Sequence, residues 1–256
     1  MGLETGVFYL RDSAEGEEPV DLSGLELRWR LSRPRGMLKL SVPALSLSAS
    51  GMAYLGPTLG TYRRGQDPAG DPGPAGSASR GLAEGFAGTP AGPGDPAGAD
   101  RQFGMGDARV QMEEQVGRDA EWGRVFLQGG IKLPTADENR GLGTGEADAW
   151  AGATWRYEGW TTNLEAYVEW IRLGDPPGVV LQDGPAGGIF VEWPGGHVGL
   201  GVGVQAAREV FEGEPPRVQA VLEAYRGKRE GSWSVTATGG LTQSAPDAAL
   251  SLAFRF

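Results

Sequence analysis

The chain has no cysteine and a single histidine, His197, among 256 residues. Without thiols there is no disulfide framework, no thiolate metal site and no cysteine nucleophile. No Ser or Asp lies at a motif spacing from His197 that would supply a nucleophile and an orienting group, so hydrolytic chemistry finds no constellation here. Positive charge is also in deficit: 23 Lys and Arg stand against 33 Asp and Glu, for a formal net charge of -10. That balance argues against nucleic acid as a partner, because a phosphate backbone demands a basic surface. No window approaches the roughly 18 uninterrupted apolar residues that a membrane-spanning helix needs. The start, Met1-Gly2-Leu3-Glu4-Thr5, lacks the basic and apolar regions of a signal peptide, so an exported protein would be read here as a mature chain with an added Met.

Glycine, with 44 residues, proline, with 18, and alternation are abundant instead. The last residues place Ala248, Leu250, Leu252, Phe254 and Phe256 on one face and Ala249, Ser251, Ala253 and Arg255 on the other. A period of two with one lipid-like face describes the closing strand of a transmembrane barrel. Such strands escape the hydropathy test, because only every second residue faces lipid. Alternation recurs in about twelve segments, near 3–11, 23–33, 36–48, 106–117, 123–134, 146–157, 160–172, 185–193, 197–208, 216–226, 232–241 and 247–256.

The connections alternate as well. Pro34-Arg35, Glu158-Gly159 and Pro194-Gly195-Gly196 are short turns, whereas 12–21, 135–145 and 175–184 are long, acidic and rich in Gly, Pro and Asp. Short turns on one side and long loops on the other are the asymmetry of outer-membrane barrels, and an even strand count puts both termini on the short-turn side. These features predict an all-β chain, a transmembrane antiparallel up-and-down β-barrel of about twelve strands, formed as one domain over 1–256. Residues 50–104 form its long Gly/Pro-rich extracellular loop, too poor in apolar residues to fold alone. Met52, Tyr54, Leu55, Leu59 and Tyr62 are the residues of that loop best suited to fold inward and narrow a pore.

Alternation also assigns each side chain to lipid or lumen. A charge on the lipid face of a spanning strand costs about 2 to 4 kcal/mol at the midplane, so charges point inward. The expected lumen lining is Glu26, Arg28, Arg30, Lys39, Arg109, Arg124, Lys132, Arg156, Glu165, Tyr167, Glu169, Arg217, Glu223 and Tyr225, joined by Asp107, Glu113, Asp148, Glu192 and Arg255. Two readings compete for it: charges paired across a narrow interior, or a hydrated path that guides a solute. The tryptophans Trp29, Trp122, Trp155, Trp160, Trp170, Trp193 and Trp233 fall near strand ends, where an interfacial girdle belongs. Gly199, Gly201 and Gly203 occupy successive inward positions and leave room for a bulky neighbour, a plug or a solute. Asp137, Glu138, Glu146, Asp175 and Asp183 lack the spacing of a calcium loop, and Gly141-Leu142-Gly143-Thr144 lacks the Lys and helix of a phosphate loop. No cofactor is expected.

The stretch Gly130-Ile131-Lys132-Leu133-Pro134-Thr135, continuing into Gly141-Leu142-Gly143-Thr144-Gly145, resembles a recurring segment of the outer-membrane family named for the meta-pathway of phenol degradation. Leu38-Lys39-Leu40-Ser41-Val42-Pro43 and the run from Gly240 to Asp247 resemble it too. The carboxy-terminal Phe256 resembles the ending that the barrel-assembly machinery of Gram-negative bacteria recognises. The resemblance implies a bacterial outer-membrane channel for passive uptake of a small solute, in relatives often a hydrophobic or aromatic compound. Its partners would be outer-membrane lipid, the solute and the assembly machinery. A structural or partner-binding barrel with a plugged, salt-bridged lumen and an outer-leaflet barrel enzyme are the rivals, and no enzymatic activity is expected.

Overall fold

The computed structural model describes residues 2–12, 20–47, 102–137, 142–175, 181–195, 198–208, 216–226, 232–242 and 248–255. Its strands are β1 (Gly2–Asp12), β2 (Val20–Arg33), β3 (Gly36–Leu47), β4 (Gln102–Met105), β5 (Ala108–Ala120), β6 (Gly123–Leu133), β7 (Asp148–Glu158), β8 (Asn163–Arg172), β9 (Gly184–Trp193), β10 (Gly199–Ala207), β11 (Arg217–Arg226), β12 (Ser232–Gly240) and β13 (Ala248–Arg255). Each strand pairs antiparallel with its neighbours, and β1 pairs with both β2 and β13, so the sheet closes on itself. β4 and β5 lie end to end along β3 and make a single barrel strand, giving twelve around the wall.

Each face is sorted by its surroundings. Outward positions carry Leu25, Leu27, Trp29 and Leu31 on β2, and Leu250 and Phe254 on β13, all exposed. Inward positions on the same strands carry buried Glu26, Arg28, Ala249, Ser251 and Ala253. This inverts a water-soluble fold, and it suits a wall with hydrocarbon outside. The short turns and both termini share one end, since Glu4 on β1 pairs with Arg255 on β13. Six of the seven predicted girdle tryptophans, Trp29, Trp122, Trp155, Trp160, Trp193 and Trp233, lie at that short-turn end, and Trp170 alone lies toward the other. Trp155 is fixed by donating its indole N–H to the carbonyl of Trp122 at 3.0 Å.

Two irregularities shape the wall. Between the pairs Ala44↔Met105 and Ser41↔Arg109, three residues of the β4–β5 strand oppose two of β3. That extra residue is a β-bulge, and it reverses the alternation: Phe103 and Met105 face out, whereas Asp107 and Arg109 face in. Gly106 keeps the ladder intact there by donating its N–H to the carbonyl of Pro43 at 2.9 Å. A second register shift lies between Val116 and Ala120 of β5, where Gly117 takes a φ of +80° that other residues rarely adopt.

The strand read from position 106 therefore begins at Gln102, and 102–104, expected within the long loop, belong to β4. The rest of that loop, with Met52, Tyr54, Leu55, Leu59 and Tyr62, lies outside the described residues, as do Glu138, His197, the run 243–247 and Phe256.

Five inward aromatics share one arrangement, whereas Phe126 lies opposite Thr154 and Gln115. Phe8, Trp150, Tyr167, Phe190 and Tyr225 stand directly opposite Gly24, Gly130, Gly188, Gly203 and Gly199 on the next strand. A Cβ built at any of those glycines would come within 2.2 to 2.7 Å of the ring. Each ring thus lies flat along the wall over a missing side chain rather than projecting across the lumen. The glycine run of β10 makes room for bulky neighbours in this way, with Tyr225 over Gly199 and Phe190 over Gly203.

Candidate functional site: the barrel lumen

Among the described residues, paired charges gather in three places on the lumen wall, each set by register. On β1 and β2, Arg28 stands opposite Glu4 and shares its face with Glu26. It donates to Glu4 Oε1 at 2.7 Å and to Glu26. Lys39 on β3 is buried beside them. On β7, Arg156 stands opposite Glu165 of β8 and donates to it through Nε at 2.7 Å. Its two terminal nitrogens form a fork on Glu113 of β5 at 2.8 and 2.7 Å, two strands away. The guanidinium crosses the face of Phe126 at 4.4 Å on the way, so charge pairing and cation–π attraction act together.

The third group lies toward the long-loop end. Lys132 on β6 donates to Asp148 at 2.8 Å, to Asp107 at 3.3 Å and to the hydroxyl of Thr144 at 2.9 Å. An ammonium that is 1% exposed and surrounded by two carboxylates and a hydroxyl has its desolvation offset by charge-assisted bonds. Of the remaining expected lining residues, Arg109, Glu169 and Arg217 are buried, with Glu169 accepting from Gln128 at 3.3 Å. Arg30, Arg124, Tyr167, Glu223 and Tyr225 are half-buried. Arg124 pairs with Glu158 at the short-turn rim. The side chain of Arg255 lies outside the described residues.

Asp107, turned inward by the bulge, also anchors the connection between β6 and β7. Its Oδ1 accepts the N–H groups of Thr135 and Ala136, both at 3.0 Å, while the Thr135 hydroxyl accepts the N–H of Ala108 at 2.8 Å. Gly143 packs so closely that a Cβ there would lie 2.6 Å from Ala136 Cβ and 2.8 Å from Asp107 Oδ2. The next residue back, Leu142, is 1% exposed and sits among Phe8, Leu10, Leu22, Leu45 and Ala249. That apolar socket belongs to β1, β2, β3 and β13, on a different part of the wall from β6 and β7.

The β8–β9 connection behaves alike. Leu181 packs on Trp150, Ile171, Leu173 and Ala186. Asp175 and Asp183 accept the N–H groups of Leu181 and Leu173, each at 2.8 Å. Asp148 accepts the N–H of Gly174 at 2.9 Å while holding Lys132, and so links the two connections.

The apolar lumen residues were not among the sequence expectations. The signal was present: at the long-loop end of β1, Phe8 and Leu10 share a face with Glu4 while Val7 and Tyr9 fill the other. Two apolar faces on one strand mean an apolar partner inside the barrel as well as lipid outside. A depression of about 640 Å³ lies on the outer wall over β6–β10, lined by Val125, Ala153, Trp155, Ala166, Val168 and Ile189 among others. It faces the lipid side and not the lumen. Among the described residues no group of three His, Cys, Asp or Glu is placed to hold a metal ion.

No family model and no curated protein matches the sequence. In structure the barrel is similar to an outer membrane channel from Pseudomonas putida F1, with a TM-score of 0.66 and 12% identity over 99% of this chain and 94% of that one. OmpT, an outer membrane protein of Vibrio cholerae, aligns over 100% of this chain and 96% of its own with 10% identity, but at a TM-score of 0.39. The first likeness shows the fold, a closed antiparallel β-barrel of twelve strands.

Proposed function

We propose that the chain is a channel of a bacterial outer membrane that lets a small solute pass passively. The observation that carries the reading is the inverted sorting of side chains, with paired charges inside and exposed leucines outside. It makes a wall that needs hydrocarbon around it and a polar path within. The segments that resemble the phenol meta-pathway family, together with the inward aromatic rings and the apolar socket, favour a hydrophobic or aromatic solute. Outer-membrane lipid and, through Phe256, the barrel-assembly machinery are the partners this reading adds, and it assigns no catalysis.

A closed structural barrel is the second reading, favoured by the near-complete burial of Glu113, Lys132 and Arg156. Planar-bilayer recording separates the two. A channel gives discrete conductance steps, and uptake into vesicles distinguishes phenol from a sugar of similar size. A barrel that stays silent, even when the side chains at its mouth are cut back, is a scaffold.

A further inference from the structure

We infer that Leu142 is a stopper supplied by the chain itself. It fills an apolar entry site at the long-loop mouth of the lumen and must withdraw before the apolar part of a solute can take its place. The inference deepens the channel reading and rests on it for its biological meaning. Three observations carry it. Leu142 is 1% exposed and packs in a cluster with the apolar side chains Phe8, Leu10, Leu22, Leu45 and Ala249. The socket is on β3, β2, β1 and β13, which lie two to five strands round the wall from β6, so the contact reaches over part of the mouth.

The base of the connection, by contrast, is pinned by polar bonds from Asp107 to Thr135 and Ala136 and from Lys132 to Thr144. A tightly bonded base with an apolar tip gives one part that stays and one that can leave. The leucine side chain is held in the socket by apolar contact, with its backbone N–H donating to the carbonyl of Asp137 at 3.3 Å, and an apolar solute of similar size competes with that side chain for the socket. The side chains grouped with Leu142 are apolar, with the Ser251 and Thr238 hydroxyls at their border, so the socket favours an alkyl or phenyl group over a sugar or an ion.

The test uses the absence of native cysteine. Ala249→Cys places a thiol on the socket, and a membrane-impermeant charged thiol reagent is added from the long-loop side with Leu142 present or replaced by Gly, and by Ala as the milder change. Heat-modifiable migration confirms that each barrel has folded. Labelling should accelerate by about tenfold or more when the leucine is removed, because the open population sets the rate. Toluene, added as the probe, should slow labelling again in the Leu142→Gly barrel.

Equal labelling rates with and without Leu142 would overturn the stopper, and faster labelling that toluene leaves unchanged would overturn the choice of an apolar ligand. Conductance recorded in parallel keeps the underlying reading separate. Faster labelling in barrels that never conduct supports the stopper and removes the channel, whereas conducting barrels with equal labelling keep the channel and remove the stopper.

Discussion

Arg156 shows how a single side chain holds the interior together. Its guanidinium bonds Glu165 on one neighbouring strand and Glu113 across Phe126, so three strands meet on one cation. Removing one member of a buried pair leaves the other charged and dry, which costs about 3 to 5 kcal/mol. Arg156→Met should therefore lower the urea resistance of the barrel in vesicles by that order. Arg156→Lys, which keeps the charge but loses the fork, should cost less but still measurably, because a point charge cannot bond both oxygens of Glu113 and reach Glu165. Tryptophan fluorescence across a urea titration reads both. The position of such charges was legible in the sequence, since lipid leaves an alternating strand only one face for Arg28, Lys132 and Arg156. Their partners were not: the fork onto Glu113 depends on strand register and on an intervening ring. The sequence reading also had no rule for Leu10, Leu22 and Leu45, whose inward positions matter only because another part of the chain comes to meet them.

At the scale of elements, the twelve alternating segments lie close to the strands of the barrel, and pattern alone missed the bulge at Gly106–Asp107 and the strand residues before it. Alternation counted from either side of Met105 gives opposite faces, and only pairing with β3 shows where the extra residue sits. The bulge has a consequence for the mouth, because it aims Asp107 at Lys132 and at the β6–β7 connection. Lys132→Met should deprive Asp107 and Asp148 of the cation they share and cost about 3 kcal/mol or more. It should also free both connections at the mouth, since Asp148 bonds Gly174 too. Limited proteolysis should then cut near 137 and 175 faster than in the parent, while the strands resist. The aromatic–glycine pairs give a second element-scale expectation. Gly203→Val would drive a side chain into Phe190, whose Cδ1 lies 2.2 Å from the first added carbon, and overpacking of this kind costs about 1 to 3 kcal/mol. Adding Phe190→Leu should recover part of the loss. A double-mutant cycle with no coupling between the two positions would mean that the ring does not depend on the gap opposite it.

For the whole molecule, what matters is that the wall has two solvents. Exposed leucines form a band around the outside, while tryptophans gather at the short-turn rim, where amphipathic rings favour the interface between hydrocarbon and water. A bilayer is layered, so the cost of the same substitution must change with height along a strand, which no uniformly wet surface can reproduce. Leu222, 58% exposed and midway along β11, faces the centre of the band. Leu3, 43% exposed beside Trp29 at the start of β1, faces its edge. Arg in place of Leu222 should cost about 2 to 4 kcal/mol, and Arg in place of Leu3 about 0 to 1 kcal/mol, because an edge guanidinium can reach the headgroups. The difference should appear in folding into lipid vesicles and shrink in short-chain detergent, where no thick hydrocarbon layer surrounds the wall. Equal costs at the two heights, in vesicles as in detergent, would mean that the apolar band does not meet a membrane, and the channel reading would lose its physical basis.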